Sequence, residues 1–73
     1  MTNTWIGPAY GNWYDNTSYW SLCHFPNNCN HIVIDAGHTV VLRNGEIGYG
    51  YTLEVKQGAE FCVEDGAELV VEE

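Results

Sequence analysis

Apolar and polar residues alternate in short bursts over the second half of the chain. Ile32 and Ile34 alternate with Val33 and Asp35, Phe61 and Val63 flank Cys62, and Leu69 and Val71 flank Val70. Side chains of an extended strand point to opposite faces in turn, so each burst predicts a short strand with one apolar face. Ala36-Gly37, Asn44-Gly45, Gln57-Gly58 and Asp65-Gly66 lie between the bursts as turn pairs. Val40-Val41-Leu42 predicts a further strand. Ile47, Tyr49, Tyr51, Leu53 and Val55 share one parity over a longer extended stretch. No helical periodicity runs through residues 31–73.

The bursts repeat. Laying His31 to Tyr51 over Thr52 to Glu72 places Gly37 on Gly58 and Gly45 on Gly66. It also places Ile32 and Ile34 on Leu53 and Val55, and Val40 and Leu42 on Phe61 and Val63. A fixed period of about 21 residues with glycines between apolar pairs predicts a stacked, parallel β-coil. A hairpin meander is the alternative, since Asn-Gly and Asp-Gly also favour tight hairpins. The in-phase repeat favours parallel stacking. It predicts that Ile32, Ile34, Val40, Leu42, Leu53, Val55, Phe61, Val63, Leu69 and Val71 point inward. Ile32 should then stack near Leu53, and Val40 near Phe61. The third side falls out of phase, because Leu69 and Val71 align with Gly48 and Gly50. A bulge near Gly48 or Gly50 would absorb that slip.

Residues 1–30 differ sharply. They hold all three tryptophans, both prolines and three of the five tyrosines, but only one of the ten acids. Glycine and asparagine abound, which predicts loops and short strands. Asp15-Asn16-Thr17-Ser18 opens a turn or a single helical turn. The expected architecture is all-β and forms a single domain. Residues 1–30 form an aromatic N-terminal cap segment, and residues 31–73 form about two coils.

Length and charge bound the function. A 73-residue chain buries only about 60% of its unfolded surface and needs a staple or a partner. The net charge of −8 argues against nucleic acid and anionic membranes. No apolar run approaches the roughly 20 residues of a spanning helix, so no membrane insertion is expected. Met1 to Trp5 shows no basic start and no apolar stretch, so no signal peptide is visible. The two basic residues align with acids, Arg43 with Glu64 and Lys56 with Asp35. Such cross-strand pairs contribute roughly 0.2–1 kcal/mol each.

The order of motifs resembles a module of secreted and surface proteins of bacteria, notably Bacteroidetes. That module starts Thr-Trp-x-Gly, continues Gly-x-Trp and Trp-Ser, then Pro, Val-x-Ile-x-x-Gly and tandem Gly-Ala-x-Leu-x-Val units. Here stand Thr4-Trp5-Ile6-Gly7, Gly11-Asn12-Trp13, Trp20-Ser21, Pro26, Val33-Ile34-Asp35-Ala36-Gly37, Gly58-Ala59-Glu60-Phe61 and Gly66-Ala67-Glu68-Leu69. The likeness covers nearly the whole chain. This chain departs from the pattern at Tyr19, where Asn is usual, and at Cys23 or His24, where Gly is frequent. The resemblance implies the start of a right-handed β-solenoid, an aromatic cap leading into parallel coils, and a structural or adhesive role.

Candidate chemistry is sparse. Cys23 and Cys29 flank a short polar loop and are a disulfide candidate suited to an oxidising compartment, which would leave Cys62 unpaired on an outer face. Three reduced thiols are the alternative. Cys23, His24, Cys29 and His31 are ligand types that zinc prefers, although their spacing matches no standard motif. His38 beside the first turn reads as a surface residue. Trp13, Tyr14, Tyr19 and Trp20 form either a platform for sugar rings or the apolar cover of an open coil end. Glu54, Glu60, Glu64, Glu68 and Glu72 line the outer face with Asp65 at a turn, as a solvated face, a calcium site or a carboxylate pair. No acid, base and nucleophile set shows recognisable spacing, so no enzyme is expected. The free edge at Leu69, Val70 and Val71, with Cys62 available for a bond between subunits, predicts end-to-end stacking of copies into a filament or surface layer. Acids at that junction, Glu73 among them, oppose it, and calcium would relieve them. The alternative is a carbohydrate- or surface-binding adhesin module cut from a longer secreted protein, with surface glycans as partners. Both readings place the chain outside the cell or on its surface.

Overall fold

A computed structural model describes residues 1–71. They are all-β. The strands are β1 (Thr2–Thr4), β2 (Tyr10–Asn12), β3 (His31–Ile34), β4 (Thr39–Leu42), β5 (Ile47–Gly50), β6 (Thr52–Val55), β7 (Glu60–Val63) and β8 (Glu68–Val71). The one helical element among the described residues is a single 3-10 turn at Thr17–Tyr19, where the Asn16 side chain accepts from the Ser18 N–H. That is the capping chemistry expected of Asp15-Asn16-Thr17-Ser18.

The strands form three sheets in the orders β1-β3-β6, β2-β4-β7 and β5-β8. Every pair is parallel. The hairpin alternative fails, because Asn44-Gly45 joins β4 to β5, which lie in different sheets. Register follows the repeat: His31 faces Thr52, Thr39 faces Glu60 and Ile47 faces Glu68, each pair one repeat apart. β1 and β2 face strands 29 residues further on, eight more than one repeat, with Thr2 opposite His31 and Tyr10 opposite Thr39. The N-terminal segment therefore contributes two strands as well as cover.

The turns stack like the strands. Gly37, Gly45, Gly58 and Gly66 have φ between +84° and +89°, a region that strains any residue with a Cβ. Gly37 N–H donates to the Gly58 carbonyl at 2.9 Å, and Gly45 N–H to that of Gly66 at 3.0 Å. The sequence repeat in glycine is thus a repeat of left-handed turns.

Ile32, Ile34, Val40 and Leu42 are fully buried with Trp5, Trp13 and Trp20. Leu53, Phe61 and Leu69 pack half-buried against them. Ile32 faces Leu53 and Val40 faces Phe61, as the alignment predicts. Val55, Val63 and Val71 are 39%, 45% and 43% exposed. They stand on the last described strands, where no further described strand lies over them.

The third side departs from expectation. β5 and β8 pair in unbroken register, with Gly48 opposite Leu69 and Gly50 opposite Val71, so no bulge forms. Gly48 and Gly50 are the buried positions, while Ile47 and Tyr49 face out. The shared parity expected from Ile47 to Val55 breaks at Tyr51, a bend between β5 and β6. The cause is space. A Cβ on Gly48 would lie 3.3 Å from Trp13 Cε2 and 3.0 Å from Leu42 Cδ1, and one on Gly50 would overlap Ile32 Cδ1. The indole of Trp13 fills what an inward side chain of β5 would have filled.

Candidate functional site

The two ends of the sheets differ. At the N-terminal end, residues 19–22 run back along β1. Trp5 and Trp20 form an antiparallel bridge. Ile6 N–H donates to Tyr19 O at 2.7 Å, and Ser21 N–H to Thr4 O at 2.8 Å. Ser21 Oγ accepts from Thr4 N–H at 2.9 Å, and Asn3 Oδ1 from Leu22 N–H at 3.1 Å. The outer edge of β2 is met by Asp15 Oδ2, which accepts from Asn12 N–H at 2.9 Å. The edge of β5 is met by the Tyr14 hydroxyl, which donates to Ile47 O, and just beyond the strand Tyr51 N–H donates to Asn30 O at 2.8 Å.

Nothing comparable covers the other end among the described residues. Lys56, Glu60, Glu64 and Glu68 N–H donate back to Ile34, His38, Leu42 and Glu46 at 3.0, 2.9, 2.9 and 3.0 Å. Main-chain groups of successive strand residues point to opposite sides. The N–H and C=O of Leu53, Val55, Phe61, Val63, Leu69 and Val71 therefore face away from the preceding strands. Unpaired main-chain groups of this kind accept another strand. The predicted edge of Leu69, Val70 and Val71 is one of three such edges, and within it the groups of Val70 turn toward β5. Cys62 is exposed opposite Val41 on the outer side of β7.

The four aromatics singled out from the sequence do not share a surface. Trp13 and Trp20 are fully buried, with ring centroids 5.0 Å apart. Trp20 also meets Trp5 edge-on at 5.2 Å, and Trp13 reaches Phe61 at 5.5 Å. Such pairs add roughly 0.5–1.5 kcal/mol each beyond their area. Trp20 Nε1–H donates to Trp13 O at 3.0 Å, whereas Trp13 Nε1 is buried without a partner among the described residues. Tyr19 packs against Trp5, and Tyr14 lies half-buried against Phe25. Burial raises the Tyr14 phenol pKa above the ordinary tyrosine value, with Tyr49 and Glu46 adding to the effect. The tyrosine rings most open to solvent are Tyr10, Tyr49 and Tyr51.

Cys23 and Cys29 are free and exposed, so the disulfide expected there is not formed. Asparagine side chains close that loop instead. Asn30 Oδ1 accepts from Asn27 N–H at 3.1 Å, Asn27 Oδ1 accepts from Cys29 N–H at 2.9 Å, and Asn3 Nδ2–H donates to His24 O at 3.0 Å. Cys23, His24, Cys29 and His31 do not converge, and among the described residues no three such ligands do. His24 Nδ1 lies 2.9 Å from Phe25 O, His31 Nδ1 lies 2.8 Å from Thr52 Oγ1, and His38 Nδ1 lies 3.2 Å from Asp35 O. Glu54, Glu60, Glu64, Asp65 and Glu68 are exposed, and Glu72 and Glu73 lie outside the described residues. Of the two aligned charge pairs, Lys56 meets Asp35 at 3.5 Å, and Arg43 forms no ion pair with Glu64. No cavity opens among the described residues.

Sequence reasoning passed over the buried asparagines Asn3, Asn12 and Asn30. Asn12 Nδ2–H donates to Val41 O at 2.9 Å and to Glu46 Oε1 at 2.7 Å, while its Oδ1 accepts from Tyr14 N–H at 3.0 Å. One side chain thus ties β2, β4, the Arg43–Glu46 turn and the cap together. The signal was the density of asparagine in residues 1–30, which a scan for apolar alternation reads as loop. No family model, curated protein or solved structure matches this chain.

Proposed function

We propose that this chain is a structural unit, the capped starting end of a short right-handed parallel β-solenoid. In this reading residues 31–73 are about two 21-residue coils, and the open end is a joint where another coil is added end to end. One observation carries the reading: strand edges are covered by residues 14–22 and 30 at one end, and among the described residues three edges lie uncovered beside exposed Val55, Val63 and Val71 at the other. The order of aromatic and Gly-Ala motifs supports it, as does the resemblance to modules of secreted and surface bacterial proteins. Location outside the cell or on its surface follows from that resemblance. The reading assigns no catalysis, because Glu54, Glu60, Glu64, Asp65 and Glu68 lie spread over separate strands and turns with no cleft among the described residues. A head-to-tail filament of copies needs an open edge at both ends, so residues 19–22 would have to leave β1.

Extension and blocking test the joint. A chain in which one more coil, patterned on residues 52–72 with Gln in place of its acids, takes the place of Glu73 so that the 21-residue register continues should gain about 5 °C or more in Tm. Val63→Pro removes an N–H that faces the open edge and serves no partner among the described residues, so it should preserve the circular dichroism spectrum. It should also reduce the gain from the added coil, since it blocks the β7 edge. An added coil that leaves Tm unchanged refutes the reading. A binding module is the second reading, favoured by the exposed strip of Ile47, Tyr49 and Tyr51. Glycan titration followed by tyrosine ring resonances decides it, since Trp13 and Trp20 are buried and should not respond.

A further inference from the structure

The open end carries a charge pattern beside its free main-chain groups. Outward positions of β6, β7, β8 and the turns between them hold Glu54, Glu60, Glu64, Asp65 and Glu68, all exposed, against the single base Lys56. The preceding strands and turns, from β3 to β5, hold only Asp35 and Glu46 against Arg43. The acid is concentrated where the next strand would lie. Charge matching between successive strands already occurs inside the molecule, where Lys56 meets Asp35 at 3.5 Å from aligned positions.

Copies of this chain match that end poorly. Two open ends meeting would set acid rows against each other, which is unfavourable between neighbouring strands. The opposite end of a copy is occupied by residues 19–22 and by Tyr14. We propose that the open end selects a β-coil with a basic outer face, carrying Lys or Arg opposite Glu54, Glu60, Glu64 and Glu68, and excludes further copies of this chain. The inference rests on the structural reading above. The inward row of Val55, Val63 and Val71 supplies the apolar contact and is indifferent to charge. The outward acids supply the discrimination, attractive for a basic coil and repulsive for an acidic one.

Three synthetic peptides patterned on residues 52–72 test this against the intact chain. One keeps the native acids, one carries Gln in their place and one carries Lys. Fluorescence anisotropy measures peptide binding, and sedimentation measures self-association of the chain. The Lys peptide should bind at least about tenfold tighter than the Gln peptide, and the margin should shrink as salt rises. The acidic peptide should bind weakest. A variant combining Glu54→Gln, Glu60→Gln, Glu64→Gln and Glu68→Gln should lose the margin yet still bind the Gln peptide, and Val63→Pro, which blocks the β7 edge, should weaken all three peptides alike. Equal affinity for all three peptides overturns charge selection while leaving the joint intact. So does self-association as tight as binding of the Lys peptide. Failure of every peptide to bind, without self-association, refutes the joint itself.

Discussion

Replacing Gly50 with alanine measures how completely the interior is filled. Gly50 is not among the left-handed glycines, so alanine is conformationally acceptable there. Its methyl would nevertheless overlap Ile32 Cδ1 and lie 3.2 Å from Ile32 Cγ1. Ile32 is fully buried, with Asn3 and Leu53 on either side in its sheet, and has no free space to enter. One methyl too many in a packed core costs about 1–3 kcal/mol. Removing glycine's chain entropy offsets about 0.5–1 kcal/mol of that. Gly50→Ala should therefore lower stability by about 0.5–2 kcal/mol. Ile32→Val deletes Cδ1, the atom in conflict, and alone costs about 0.5–1.5 kcal/mol through the void it leaves. In the double variant the alanine methyl occupies that void. The pair should then lose no more than the worse single change, so the coupling is at least the smaller single loss, about 0.5–1.5 kcal/mol. Urea unfolding read by emission of the three buried tryptophans gives all four corners of the cycle. Additivity within about 0.5 kcal/mol would refute the assignment of Gly50 to the space Ile32 needs.

Three further outcomes follow from named contacts. Asn12→Ala strands the Tyr14 N–H and removes a donor to Val41 O and Glu46, so urea unfolding should report a loss of about 1–3 kcal/mol. Cys23 has φ +60°, where glycine avoids the Cβ clash, so Cys23→Gly should raise unfolding stability by about 0.5–1 kcal/mol after glycine's own entropy is counted. An unchanged or lower stability would count against the left-handed backbone at that position. The raised Tyr14 pKa means the fold prefers the protonated phenol, whose hydroxyl donates to Ile47 O. Its contribution is complete below about pH 10 and is lost as pH rises through the folded value. Stability should fall more steeply above about pH 10 in the native chain than in Tyr14→Phe, and parallel declines would contradict this.

The repeat made the parallel pairing legible because it lives in residues that cannot be exchanged freely. Left-handed turns need glycine, and the inward rows of β3, β4, β6 and β7 need apolar side chains, so alignment of the two halves reproduces the register. The third side was misread because its inner face is lined by absence. Gly48 and Gly50 carry no side chain to count, and the group that fills the space at Gly48, Trp13, lies far upstream in the cap segment. Alternation records what a strand presents, and it has no mark for what a distant segment inserts. The asparagines escaped for a related reason. Asn3 occupies the inward position that Ile32 and Leu53 occupy in the next strands, yet its role is to hydrogen-bond Leu22 and His24. The expected disulfide failed because short spacing fixes proximity in sequence only, and asparagines already hold that loop.

The constant spacing of partners sets the order in which the molecule can assemble. Each of β3, β4 and β5 waits for a partner one repeat further on, and β1 and β2 wait eight residues longer. Closing the longer loops costs only about 0.3 kcal/mol more than closing the shorter ones, so no step is disfavoured by distance. On a ribosome, Trp5, Trp13 and Trp20 emerge before the strands that give their rings a wall. β3 and β4 begin that wall, and β5 and β7 complete it where Gly48 and Phe61 meet Trp13. In the native pairing every strand from β3 onward except β5 lies against one that precedes it in the chain, so each of these has its template upstream.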